Sequence, residues 1–94
     1  MIETSDVSKK YYTYTLYSLK DNKLYTGFTS NLHKRINQHF KGLVKSTKHR
    51  LPLKLIHAEY YVNKKDAKAR EVYLKSGFGR KQLLKSLQNT IKSL

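Results

Sequence analysis

Cysteine is absent from all 94 residues, which excludes disulfides, thiolate metal sites and cysteine nucleophiles. A reducing, cytoplasmic setting fits that absence. Long apolar runs are missing too: none approaches the roughly 20 residues that a membrane-spanning helix needs. The opening MIETSDVSKK carries two acids and no apolar stretch, so it lacks the pattern of a secretory leader. Residues 1–10 read as a disordered lead-in. Acids are the scarcest class, six against 20 Lys and Arg, for a formal charge of +14. Self-repulsion on that scale works against a compact domain, so a polyanionic partner is the natural counterpart. A basic surface kept only for solubility is the plainer alternative. No long basic amphipathic helix faces Trp, Phe or Leu to a bilayer, which makes nucleic acid the better polyanion.

What is present is tyrosine. Five of the eight fall within 11-YYTYTLYSLKDNKLY-25. Aromatic and β-branched residues alternate with small polar ones from Tyr11 to Leu19, the pattern of a strand. Lys20–Lys23 makes a turn, and Leu24–Thr29 a second strand, closing a β-hairpin. Ser30 or Asn31 caps a helix whose apolar stripe is Leu32, Ile36 and Phe40, ending at Gly42. Residues 43–52 form an exposed basic loop with Lys45, Lys48, His49 and Arg50. A third strand spans 53–62. Asn63 caps a second long helix, which stops at Gly77, and Gly79 opens a last helix with Leu83, Leu84, Leu87 and Ile91 at helical spacing. The expected fold is one α/β domain over residues 11–94: a small antiparallel three-stranded sheet flanked by helices, in the order β-β-α-β-α-α. A chain this short holds a single core.

Candidate chemistry narrows quickly. With Asp21 in a turn, Asp66 in a helix cap, and Glu3 and Asp6 in the lead-in, only Glu59 and Glu71 are left for other work. Glu71 lies at the border between the lysine face and the apolar face of its helix. There it either pairs with Lys75 one turn on or points into a cleft beside the sheet. Arg35 and His39 are neighbours on one stripe, flanking the apolar line. They are either a solvated basic face or part of a site. The four histidines form no zinc array, with no HExxH among them. The tyrosines suit a sheet surface, and sheet aromatics also stack unpaired bases.

Taken together, these residues resemble the GIY-YIG nuclease family, most of all its small stand-alone bacterial members, which are similar to the N-terminal domain of the excision-repair nuclease subunit. 12-YTY-14 stands at the family's first tripeptide and 25-YTG-27 at its second. Arg35 follows ten positions after Tyr25, His39 four after that, and Glu71 sits in 70-REVYLKSGFGR-80. Tyr12 and Thr13 replace Gly-Ile, and Thr26 replaces Ile. Other branches carry an asparagine on the following helix. Here Leu83 occupies that region, and the nearest asparagine, Asn89, lies 18 residues beyond Glu71.

The resemblance implies a metal-dependent phosphodiester hydrolase, a structure-preferring or weakly specific endonuclease of the kind used in DNA repair. Its site residues would be Tyr14, Tyr25, Arg35, His39 and Glu71. Tyr25 would be the general base, Tyr14 would position the attacking water, and Arg35 would face the scissile phosphate. His39 would orient these groups, and Glu71 would hold one divalent ion, Mg²⁺ or Mn²⁺. A phenol ordinarily ionises near pH 10, so a tyrosine base needs cations beside it. Gly27 would let backbone and substrate approach. Lys45, Lys48, His49 and Arg50 would grip flanking phosphates, giving affinity without sequence information. DNA is the expected partner ahead of RNA, in the nucleoid, and the protein a monomer or weak homodimer. Two rivals share the charge: a non-catalytic basic nucleic-acid-binding module, and a structural protein of a ribonucleoprotein particle.

Overall fold

The computed structural model describes residues 10–94. All but Lys10 of the expected lead-in lies outside the described residues. Three strands, β1 (Tyr11–Ser18), β2 (Leu24–Thr29) and β3 (Leu53–Tyr61), form one antiparallel sheet in the order β2-β1-β3. Helix α1 (Leu32–Phe40) follows β2. Helices α2 (Lys64–Lys75), α3 (Gly77–Ser86) and the short α4 (Gln88–Lys92) follow β3. This is the expected sheet and element order, with one change at the end. The single last helix is broken at Leu87, whose φ of −107° and ψ of 17° leave the helical region.

The two faces of β1 divide the molecule. Tyr12, Tyr14 and Leu16 point towards α1, and Tyr14 and Leu16 pack with Ile36 and Leu53 in the core. Thr13 and Thr15 point the other way, and the Thr13 hydroxyl donates to the Ala67 carbonyl of α2 at 2.6 Å. Fully burying a side chain such as Leu16 stabilises by about 1.5–3 kcal/mol, so this small core depends on few residues. Asn31 and Asn63 cap α1 and α2, accepting from the Lys34 and Lys65 backbone amides, each worth about 1 kcal/mol. Asn22 turns the hairpin at φ 58°, and Gly42 takes φ 74° just past α1, a region where glycine carries no Cβ penalty.

The expected stripe of α1 is half right. Ile36 is buried, but Phe40 is 45% exposed while His39 is fully buried. Both flank Ile36 on the helical wheel, so period alone does not choose between them. His39 goes inside because each of its ring nitrogens meets a hydroxyl there, which removes the cost of burying an imidazole. The segment expected as a purely exposed basic loop is likewise anchored: Val44 and Thr47 are buried, and Lys48–Arg50 form a 3₁₀ turn.

Candidate active site

The hairpin register sets the first part of the site. Tyr14 on β1 lies opposite Gly27 on β2, and Leu16 opposite Tyr25, so both tyrosines share the α1 face. Gly27 is needed for a reason the sequence did not show. A Cβ built there would overlap the Tyr14 phenol ring and hydroxyl. The missing side chain makes room for Tyr14 itself. Helix α1 then brings His39 against both rings, with centroids 5.5 Å from Tyr14 and 5.2 Å from Tyr25, while the two tyrosine rings are 6.5 Å apart.

Polar contacts within this cluster form a chain. The Tyr14 hydroxyl meets His39 Nε2 at 2.8 Å, and His39 Nδ1 meets Thr47 Oγ1 at 2.8 Å. Burial pushes the Tyr14 phenol up to about 12, against the opposing pull of Arg35, which is within hydrogen-bonding reach. Burial, then the Arg35 charge, pushes His39 down to about 4. At neutral pH Tyr14 therefore keeps its proton and His39 is uncharged. The neutral imidazole donates at one ring nitrogen and accepts at the other, so Tyr14, His39 and Thr47 form one continuous hydrogen-bonded chain. Thr47 was not singled out in the sequence. It is fully buried, and its only signal there was a short β-branched hydroxyl inside an otherwise basic loop.

Around this rigid centre stand groups with capacity left over. Tyr25 is half-buried, and among the described residues its hydroxyl receives only a long contact of 3.4 Å from Ser46 Oγ. Arg35 donates to Gln38 at 3.2 Å, leaving most of its five donors unused. Glu71 reaches in from α2, near enough for its charge to act on Tyr14. Lys75 Nζ donates to Glu71 Oε2 at 2.9 Å, the i,i+4 pair considered from sequence, and Oε1 accepts no hydrogen bond from the described residues. One unengaged carboxylate oxygen suits a hard divalent cation that keeps most of its shell as water and phosphate oxygen. No group of three or more His, Cys, Asp or Glu residues that could hold a metal occurs among the described residues.

The basic residues sort into two kinds. Lys45, Lys48 and His49 are exposed on the segment that carries Ser46 and Thr47. Arg50 is engaged: its Nε donates to Asp21 Oδ2 at 2.7 Å and its Nη2 to Asp21 Oδ1 at 3.2 Å and the Lys23 carbonyl at 3.1 Å. That bond holds the Asp21 carboxyl down to about 2. Arg50 thereby fastens the loop to the hairpin turn. Leu83, in the region where other branches carry an asparagine, is buried in the fold, and Asn89 lies exposed on α4.

A second polar cluster lies on the opposite face of the sheet. Glu59 on β3 accepts from Tyr61 at 2.5 Å and from Arg70 Nε at 3.0 Å and Nη2 at 3.2 Å, and contacts His57 Nε2 at 2.9 Å. Burial raises its pKa, but the hydrogen bonds from Tyr61 and Arg70 outweigh that and hold the carboxyl below its ordinary value.

Comparison with known proteins identifies the family. Residues 10–84 match the model of the GIY-YIG catalytic domain. A UPF0213 protein of Clostridium perfringens is 48% identical over 65 residues, covering 68% of this chain and 69% of the relative. A UPF0213 protein of Staphylococcus haemolyticus is 41% identical over 80 residues, covering 84% and 95%. Among solved structures, the solution NMR structure of a UPF0213 protein from Bacillus halodurans aligns with a TM-score of 0.53 at 32% identity, covering 81% of this chain and 83% of that one. No helix among the described residues is long and apolar enough to cross a membrane.

Proposed function

The chain belongs to the GIY-YIG catalytic-domain family, and from that premise we propose that it is an endonuclease that hydrolyses DNA phosphodiesters with one divalent metal ion. The observation that carries this reading is the juxtaposition of Tyr14, Tyr25 and His39 with an Arg35 and a Glu71 that retain unused donors and an unused oxygen. Simple binding of a polyanion gains nothing from a half-buried carboxylate beside the phosphates.

In the proposed reaction a water molecule attacks phosphorus while Tyr25, ionised, takes its proton and becomes a phenol. The new P–O bond forms as the bond to the 3′-oxygen breaks, giving a 5′-phosphate and, after protonation from solvent, a 3′-hydroxyl. Arg35 presents its planar guanidinium to the phosphate oxygens as charge builds. Tyr14 is held by its bond to His39 and keeps its proton, so it positions the water beside the Tyr25 oxygen without competing as a base. Glu71 would hold Mg²⁺ or Mn²⁺, which would supply Lewis-acid stabilisation of developing negative charge. Lys45, Lys48 and His49, with the lysines of α2, grip flanking phosphates, while Arg50 shapes the loop that carries the first three. Such contacts carry no sequence information, which makes the enzyme structure-preferring or weakly specific.

The test is cleavage of labelled duplex, branched and single-stranded DNA and RNA, with Mg²⁺ or Mn²⁺ and with EDTA. Cutting of DNA that requires the metal is expected. Tight, salt-sensitive binding with no cutting of any substrate would replace this reading with that of a binding module.

A further inference from the structure

An open groove of about 650 Å³ runs along the flank of α1 opposite to Arg35 and His39. At 100° per residue, Arg35 and His39 occupy one edge of α1, Leu32 and Ile36 the buried middle, and Phe40, His33 and Asn37 the far edge. That far edge faces Tyr12 and Leu55 across the groove, with Lys10 at its rim. Phe40 is the aromatic that the helical pattern assigns to the core, yet it stands 45% exposed here, and Leu55 is 40% exposed.

From this placement, and resting on the nuclease reading above, we propose that the groove holds unpaired DNA next to the scissile phosphate, its bases stacking on Phe40 and Tyr12. Three observations select that occupant. First, no acid among the described residues lines the groove; its polar groups are Lys10, Ser30, His33, the Tyr12 hydroxyl and the Asn31 and Asn37 amides, which complement phosphates and base edges. Second, an aromatic concavity accepts bases that have left a helical stack, which a continuous duplex does not offer. Third, Tyr12 and Tyr14 lie on the same face of β1, one pleat repeat of roughly 7 Å apart. A strand whose phosphate sits at Tyr25 and Arg35 therefore has its neighbouring unpaired nucleotides within reach of the groove. The enzyme is thus directed to junctions, where a duplex gives way to a single strand.

The experiment compares binding of the whole chain, in EDTA so that nothing is cut, to a blunt duplex and to the same duplex with a single-stranded tail. The tailed duplex is expected to bind about tenfold more tightly, the scale of one stacked base. 2-Aminopurine in the tail is expected to lose fluorescence on binding. Phe40→Ala and Tyr12→Leu, which keeps an apolar side chain, each checked for a parent-like circular-dichroism spectrum, are expected to remove both the preference and the quenching while leaving blunt-duplex affinity alone. Equal affinity for the two DNAs would overturn the proposal, as would variants that weaken both equally. A dimer seen by sedimentation that Phe40→Ala dissolves, with tail preference intact, would assign the groove to a second copy of the chain instead. Tail preference that depends on Phe40, in a protein that cuts nothing, would support the groove and count against the nuclease.

Discussion

The two faces of the sheet carry nearly the same residues arranged to opposite effect. On the α2 face, Glu59 meets Tyr61, His57 and Arg70. On the α1 face, Tyr14, Tyr25, His39 and Arg35 gather, with Glu71 alongside. The first set is closed, since each charge meets its opposite and Glu59 has two oxygens serving three partners. Such a network fixes β3 against α2 and has little left for a ligand. The second set is closed only at its base, where Tyr14, His39 and Thr47 satisfy one another. Its outer members keep free hydrogen-bonding capacity. Residue type does not distinguish the structural network from the proposed active site here. The difference lies in which groups are already satisfied.

Breaking the open set at its reactive group has the largest expected effect. Tyr25→Phe is expected to lower the cleavage rate by about 10²–10⁴-fold, the usual contribution of a general base. DNA affinity and melting temperature are expected to stay unchanged, checked by single-turnover cleavage and polarisation binding.

Acid distinguishes the two faces through stability. The folded pKa of His39 is depressed to about 4 from 6.5. Below pH 6.5 the unfolded chain therefore takes up a proton that the folded chain refuses, and stability falls until the pH reaches about 4. The loss amounts to on the order of 3 kcal/mol, read as a falling urea midpoint. Glu59, whose pKa is lowered from 4.5, contributes stability above its unfolded value. That contribution is lost only as the pH drops through its folded value, in more acid solution. His39→Gln is expected to flatten the first fall and leave the second.

Thr47 sharpens the contrast at its buried end. Thr47→Val keeps the shape but removes the hydroxyl partner of His39 Nδ1. Cleavage is expected to fall by roughly 10-fold through kcat, in the range of outer partners that orient site histidines, with a shifted pH profile. Thr47→Ser is expected to restore both.

Much of this was legible in the sequence, for identifiable reasons. Strand alternation and the caps Asn31 and Asn63 are local signals, and they led to the sheet and the helix order, while the candidate residues came from the resemblance of Tyr14, Tyr25, Arg35, His39 and Glu71 to the family's motifs. What stayed hidden depended on partners distant in the chain. His39 and Phe40 are equivalent by helical period, and only Tyr14 and Thr47 decide which one is buried. Gly27 was read as clearance for substrate, whereas the register places the Tyr14 ring over it. Arg50 was grouped with the phosphate-gripping residues because nothing local pairs it with Asp21, 29 residues away. The break at Leu87 falls at neither Gly nor Pro, so no local breaker marks it.

The measurement that tests the contrast most directly sets Glu71→Gln beside Glu59→Gln, each assayed for Mg²⁺-dependent cleavage and for stability in urea. Glu71→Gln is expected to abolish cleavage while its stability and DNA binding stay those of the parent. Glu59→Gln is expected to cost about 1.5–3 kcal/mol, as for hydrogen bonds to a charged group, and to keep the parent's kcat where it is folded. The reverse pattern, with Glu71 serving stability and Glu59 needed for cleavage, would contradict the assignment of the active site to the α1 face.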